Sequence, residues 1–231
     1  MSAYKELMMS ELKILEETIH PNITKVFELF EDKNNYYIVA ELSCGGCLQD
    51  KMDDLGGFSN PHIVKILKMI LLPLNYMHHT KKITHRDIKM ENILCMPNGP
   101  KRTDFVVKLT DFGFAAYFKP GEMMDLALGS PMYMAPELMA MKDYDCRVDV
   151  WAVGVLTYIM VTGQPPFYDN DEKKLERKIK WDEPLYTKKV FPASVPAECI
   201  DFIKKCLTKK AADRPFIKDL LDHPWIKSDK Q

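Results

Sequence analysis

Four polar side chains in the middle of the chain have the types and spacing that phosphate chemistry needs. Asp87, Lys89 and Asn92 stand at positions n, n+2 and n+5 of His85-Arg86-Asp87-Ile88-Lys89-Met90-Glu91-Asn92. Asp111 follows the apolar run Val106-Val107-Lys108-Leu109-Thr110 and opens Asp111-Phe112-Gly113. One carboxylate can accept the proton of an attacking hydroxyl, and a lysine can neutralise a moving phosphoryl group. An asparagine oxygen and a second carboxylate can hold a hard cation such as magnesium. Taken singly, each is an ordinary loop polar group; the combined spacing is what points to the chemistry.

Such a set needs elements to hold it. Residues 4–17 carry apolar side chains at helical spacing (Tyr4, Leu7, Met8, Leu12, Leu15), and His20-Pro21-Asn22 ends that helix. Residues 23–30 and 36–41 read as two strands joined by a polar turn at 32–35. From Cys44-Gly45-Gly46 onward the pattern becomes helical. Ser59 is a good N-cap, with Pro61 in the first turn and a long apolar face from Ile63 to Met77. Residues 93–109 suggest a hairpin turning at Pro97-Asn98-Gly99-Pro100. Residues 114–134 lack periodicity and read as a long ordered loop, and 148–161, apolar nearly all round, as a central buried helix. Three further helices are expected at 170–180, 196–207 and 216–222. The pattern reads as an α+β chain, with a small mixed segment of one helix and two strands (1–42) joined near residue 43 to a larger, mainly helical one (43–228).

The net charge of −1 gives no general pull toward nucleic acid or membranes. The most apolar run, Ile63 to Leu74, is interrupted by Lys65 and Lys68, so no membrane span is expected. Six scattered cysteines in a chain with no apolar leader read as reduced thiols, which places the protein in the cytoplasm or the nucleus. Cys44-Gly45-Gly46-Cys47 is a CxxC by count, but it has neither a second pair nor a thioredoxin-like context. It reads as two unpaired thiols beside a glycine turn.

Several motifs occur in one order and register: His85-Arg86-Asp87 with Asn92, Asp111-Phe112-Gly113, Ala135-Pro136-Glu137, Asp149-Val150-Trp151 with Gly154, and Asp213-Arg214-Pro215. Together they resemble a eukaryotic protein kinase domain over nearly the whole chain. His20-Pro21-Asn22-Ile23, Gly129-Ser130-Pro131-Met132-Tyr133, Gly163-Gln164-Pro165-Pro166-Phe167 and His223-Pro224-Trp225 are similar to the calcium/calmodulin-dependent group, calcium-dependent protein kinases in particular. Lys89 matches the serine/threonine class. The resemblance implies transfer of the ATP γ-phosphate to a protein Ser/Thr hydroxyl, with ATP and Mg2+ as cofactors. Asp87 would be the catalytic base, Lys89 the phosphoryl stabiliser, and Asn92 and Asp111 the metal ligands. Glu11, Glu41, Leu42, Leu94 and Asp111 would bind the nucleotide, with Leu94 as the floor under the adenine and Ala40 gating an open rear pocket. Glu91 matches an acidic contact for a basic residue of the protein substrate, although Cys47 stands where the family commonly has a second acid. Glu137 and Arg214 match a bracing ion pair, Asp149 a cap on the catalytic-loop backbone, and Leu15, Val26, His85 and Phe112 a stacked apolar spine. Ser130 matches a hydroxyl that positions Asp87 and Lys89. Arg86 is expected to meet Glu122 or Asp125 where relatives use a loop phosphate.

One part of the family pattern is absent from these residues. No GxGxxG occurs, and no lysine is placed to face Glu11 across a nucleotide; Lys5 and Lys13 lie on the same expected helix. The expectation is therefore a kinase domain truncated at its N-terminus, with a weakened grip on ATP, exposed apolar surface, and low solubility or a partner. The alternative is a pseudokinase-type binding or scaffolding module without phosphotransfer. No EF-hand loop occurs, so a calcium sensor or calmodulin would act from outside these 231 residues.

Overall fold

The computed structural model describes residues 11–33 and 35–228. The N-terminal part of the helix expected over 4–17, with Tyr4, Leu7 and Met8, lies outside the described residues. Its remainder, α1 (11–17), buries Ile14 and Leu12 and leaves Leu15 only partly covered. The buried face is thus turned from the one the Leu12 and Leu15 spacing suggests.

β1 (Val26–Glu31) and β2 (Tyr36–Ala40) form an antiparallel pair in which Leu29 faces Ile38 and Phe30 faces Tyr37. The turn between them is closed by Asp32, whose carboxylate accepts the Asn35 N–H at 2.7 Å. The first strand starts three residues later than expected because residues 22–24 are drawn to the other lobe. Leu109 N–H donates to the Asn22 carbonyl at 2.8 Å, Thr24 N–H to the Leu109 carbonyl at 2.9 Å, and the Asn22 side chain to the Val107 carbonyl. Phe27, Phe30, Tyr37, Ile38 and Val39 remain exposed, so both faces of this ribbon carry apolar surface toward solvent, as the exposed-surface expectation had it. Among the described residues, the outer edge of β2 pairs with no strand.

The larger lobe opens with α2 (Leu48–Leu55), which the sequence did not reveal. Its N-cap is Cys47, an unusual residue there. Asp50 accepts the Cys47 N–H at 2.8 Å and closes the cap from the far side, while Gly56, in the left-handed region (φ 68°), ends the helix. α3 (Asn60–Tyr76) follows, with Ser59 at its N-cap position, and runs into a wide π-type turn, Met77–Lys81. Then come β3 (Ile83–Thr84), β4 (Ile93–Pro97), β5 (Phe105–Leu109) and β6 (Ala116–Tyr117). β4 and β5 make the expected hairpin, and β6 pairs with β3, giving the 114–134 loop one fixed point. α4 (Pro136–Met139), α5 (Arg147–Thr162), α6 (Glu172–Trp181), α7 (Ala197–Cys206), α8 (Ile217–Leu221) and α9 (Pro224–Lys227) complete the chain.

α5 is the axis of the core, buried without a break from Val148 to Met160. α7 crosses it so closely that a Cβ on Gly154 would lie 2.6 Å from Cys206 Cβ and 2.9 Å from Leu207 Cδ2. Beneath α5, the fully buried Arg214 pairs with Glu137 through two guanidinium nitrogens, at 2.8 and 3.1 Å, donates to the Arg147 and Thr208 carbonyls, and lies over the Trp151 ring. A buried charge of this kind is tolerable only with every donor used. Gly154→Ala should wedge α5 from α7 and lower unfolding stability by about 1–3 kcal/mol, read from urea denaturation. An unchanged midpoint would mean that the crossing relaxes freely.

Candidate active site

The segments that carry the four polar residues flank β3, β4 and β5 and are held together by hydrogen bonds. Thr110, just before Asp111, donates its N–H to the Asn92 carbonyl at 3.0 Å, which joins the backbone beside the two expected metal ligands. Asn92, buried in a short 3-10 turn, donates its side-chain amide to the Asp87 carboxylate at 2.9 Å and to the Asp87 carbonyl at 3.0 Å. With its N–H groups so used, its amide oxygen is the end suited to a cation. Lys89 Nζ reaches Asp87 Oδ2 at 2.7 Å and Ser130 Oγ at 3.0 Å. Ser130 donates both its N–H and its hydroxyl to Asp87 Oδ1, each at 3.0 Å. Burial opposes ionisation of Asp87, but the hydrogen bonds from Lys89 and Ser130 and the charge of Lys89 outweigh it and hold the carboxyl below its usual range.

The backbone of this site is strained where it bears these groups. Arg86 (φ 69°) and Asp111 (φ 60°) both occupy the left-handed region, which side chains other than glycine seldom adopt. Gly129 (φ 125°) lies so close to the catalytic loop that a Cβ there would sit 2.7 Å from the Arg86 carbonyl oxygen. The loop is fixed from below by Asp149. This buried carboxylate accepts the His85 N–H at 2.9 Å, the Arg86 N–H at 2.8 Å, and a 2.7 Å hydrogen bond from His78. Burial would lower the pKa of His78, but the Asp149 hydrogen bond and charge overcome it and raise the value to about 9, so this buried imidazole is cationic at neutral pH. His85 packs against Phe112 in a tilted arrangement with ring centroids 5.0 Å apart, which joins the two expected spine residues; burial depresses its pKa.

Arg86 differs from the expectation. Its guanidinium donates to the Phe114 carbonyl and, at 2.9 Å, to the Tyr144 hydroxyl, which in turn donates to the Leu126 carbonyl. Glu122 pairs instead with Lys119. Neutral oxygens of Phe114 and Tyr144, not a carboxylate, therefore engage Arg86.

The expected nucleotide residues fall around one edge of this site. Glu11, half-buried on α1, faces the Asp111 side: a Cβ on Gly113 would sit 3.3 Å from Asp111 Oδ1 and 3.7 Å from Glu11 Oε2. Burial, and then the Asp111 charge, raise the Glu11 pKa. The Glu41 carboxylate accepts Lys25 N–H at 2.6 Å and Lys108 Nζ at 2.7 Å, and its own N–H goes to the Lys25 carbonyl. Leu42 is exposed, and Leu94, on β4, bridges across to Cys47. Ala40 ends β2 on the exposed ribbon, and a cavity of about 280 Å³ lies between α1 and the Glu41–Lys108 pair. Sequence reasoning missed His78, Tyr144 and Lys108. Each acts over dozens of residues of chain, and none belongs to a local pattern.

A two-lobed α+β fold with paired Asp–Asn and Asp–Phe–Gly loops above a buried helix defines the protein kinase architecture. Residues 2–226 match the protein kinase domain, and the chain belongs to that family. It is 38% identical over 223 residues to the Serine/threonine-protein kinase H1 homolog of Pinctada fucata, covering 96% of this chain and 52% of that protein. It is 37% identical over 226 residues to Serine/threonine-protein kinase H1 of Homo sapiens (97% and 52%). To Calcium-dependent protein kinase 3 of Plasmodium berghei (strain Anka) it is 37% identical over 221 residues (95% and 39%). The chain thus spans about half the length, or less, of these curated relatives. Among the described residues, no helix is long and apolar enough to cross a membrane.

The His78–Asp149 pair ties stability to pH. The folded pKa of His78 lies above its ordinary 6.5. Its contribution is therefore fully present below pH 6.5 and lost as pH rises through about 9. Urea unfolding across this window should show a fall in stability that is smaller in His78→Gln. Parallel pH profiles for the two proteins would refute the assignment.

Proposed function

We propose that the chain transfers the γ-phosphate of ATP to a serine or threonine hydroxyl of a protein substrate. The observation that carries this reading is the Asp87 constellation, with Lys89, Asn92 and Ser130 all hydrogen-bonded to one carboxylate. Its depressed pKa makes Asp87 an orienting acceptor more than a strong base. It fixes the acceptor hydroxyl in line and takes the proton late, which suits a loose phosphoryl-transfer transition state. Lys89, held between Asp87 and Ser130, stands ready to meet charge on the transferring group.

The residues present fit the family's cofactors. The Asn92 amide oxygen and the Asp111 carboxylate are hard oxygen donors of the kind Mg2+ takes, and magnesium would supply charge neutralisation of the phosphates. Glu41 has committed its carboxylate and its N–H, so it would offer a base its carbonyl, with Leu42 beside it and Leu94 beneath. Glu11, with no lysine facing it among the described residues, would present a carboxylate toward the Asp111 end. Glu91, exposed on the turn before Asn92, would favour substrates with a basic residue near the acceptor. A calcium sensor or calmodulin acting on this chain, and a cytoplasmic or nuclear location, belong to the same reading.

Incubation with Mg2+-ATP and a serine peptide bearing upstream basic residues tests it. Asp87→Asn should lower kcat on the order of 100-fold or more while the thermal shift by Mg2+-ATP is retained. Asp111→Asn should lose the magnesium-dependent part of that shift. Binding by the parent protein without transfer would favour the scaffolding alternative, and absence of both would refute the two readings together.

A further inference from the structure

α1 is tied to the larger lobe at one aromatic side chain. Lys13 and Glu17 stand one helical turn apart on the same face of α1. Both meet Tyr117, a residue of β6. The Tyr117 hydroxyl donates to the Glu17 carboxylate at 2.8 Å, across 100 residues of sequence, and Lys13 Nζ lies over the ring, 5.7 Å from its centroid. Among the described residues, this is the one hydrogen bond that joins α1 to the larger lobe; the packing of Leu12 and Ile14 supplies the rest. Between the helix and the ribbon of its own lobe lies a cavity of about 720 Å³, lined by Leu12 and Glu16 from α1 and by Leu29, Phe30 and Tyr37 from the ribbon. Tyr117 itself is firmly placed. It sits opposite the buried Ile83 in the β3–β6 pair, and Phe118 N–H donates to the Lys82 carbonyl at 2.8 Å. β3 then runs directly into His85-Arg86-Asp87. At the other end of α1, the Glu11 carboxylate faces that of Asp111, and two like charges resist being held together.

We propose that Tyr117 is a positioning residue: by engaging Lys13 and Glu17 together, it keeps α1 docked and so holds the Glu11 carboxylate at the Asp111 loop. The ring braces the helix through Lys13, and the hydroxyl fixes its rotation through Glu17. The helix thereby takes its position from the strand that leads into the catalytic loop, across a gap that its own lobe leaves open. The effect on catalysis rests on the phosphotransfer reading above, whereas the docking of α1 does not. A single hydrogen bond of this kind shifts an opening equilibrium on the order of fivefold, which is enough to change how often Glu11 and Asp111 are in register.

Amide hydrogen exchange on the intact chain, read by mass spectrometry, tests the docking. Tyr117→Phe removes the hydroxyl and leaves the ring beneath Lys13. It should speed exchange in α1 on the order of fivefold, with α3 and α5 unchanged. Glu17→Ala should do the same, and the double variant should exchange no faster than either single one. Glu17→Gln, which keeps an acceptor oxygen, should restore most of the protection. With Mg2+-ATP and the basic serine peptide, Tyr117→Phe should lower kcat by a similar factor and leave the peptide KM unchanged. Parental exchange of α1 in both single variants, or additive acceleration in the double variant, would overturn the docking. Faster exchange with an unchanged kcat would overturn the positioning role. A parent protein without phosphotransfer would refute that reading alone, because the exchange cycle decides the docking without it.

Discussion

One buried carboxylate governs the geometry of the catalytic loop. Asp149 lies in the first turn of α5, sealed from water, in a setting where an unpaired ion would cost several kcal/mol. It is tolerated because the His85 and Arg86 amides and the His78 imidazole converge on its two oxygens. The dependence runs both ways. One of the two amides belongs to Arg86, whose backbone lies in the left-handed region, and the carboxylate over-determines that conformation. The buried helix that supplies Asp149 thereby becomes the reference frame for Asp87, which directly follows Arg86.

The 114–134 loop is seated on the same frame from above. Gly129 lets its backbone come against the Arg86 carbonyl, and Ser130 then places two donors on Asp87. Arg86 ties the loop down through the Phe114 carbonyl and the Tyr144 hydroxyl, neutral groups that need no added charge. Past the loop, the Glu137–Arg214 pair anchors its exit to the base of α5. The catalytic loop, the 114–134 loop and the central helix thus share a connected set of hydrogen bonds, and a displacement in one is felt by the others.

Much of this was legible in the sequence because it rests on local patterns. α5 showed as an unbroken apolar run, α3 as a long amphipathic face, and the β4–β5 hairpin as two short strands around Pro97-Asn98-Gly99-Pro100. The four polar residues showed through fixed spacings. What escaped notice rests on contacts between distant positions. His78 and Asp149 are 71 residues apart, and Glu41 and Lys108 are 67. α2 was hidden because a cysteine caps it and its residues are largely polar. The start of β1 was misplaced because Asn22 and Thr24 bond to Leu109 and pull their segment away from the ribbon, a competition that strand propensity cannot register.

The β1–β2 ribbon, with apolar side chains open to water on both faces, lacks the sealed core that locks α5. Local opening of such a unit takes less free energy than global unfolding, so its amide protons would exchange far ahead of those in α3 and α5. The two lobes are then unequal partners: one preorganised, the other ordered in large part by whatever it touches. A ligand bridging them would surrender part of its contact energy to that ordering, and its affinity would understate how well the rigid half already fits it.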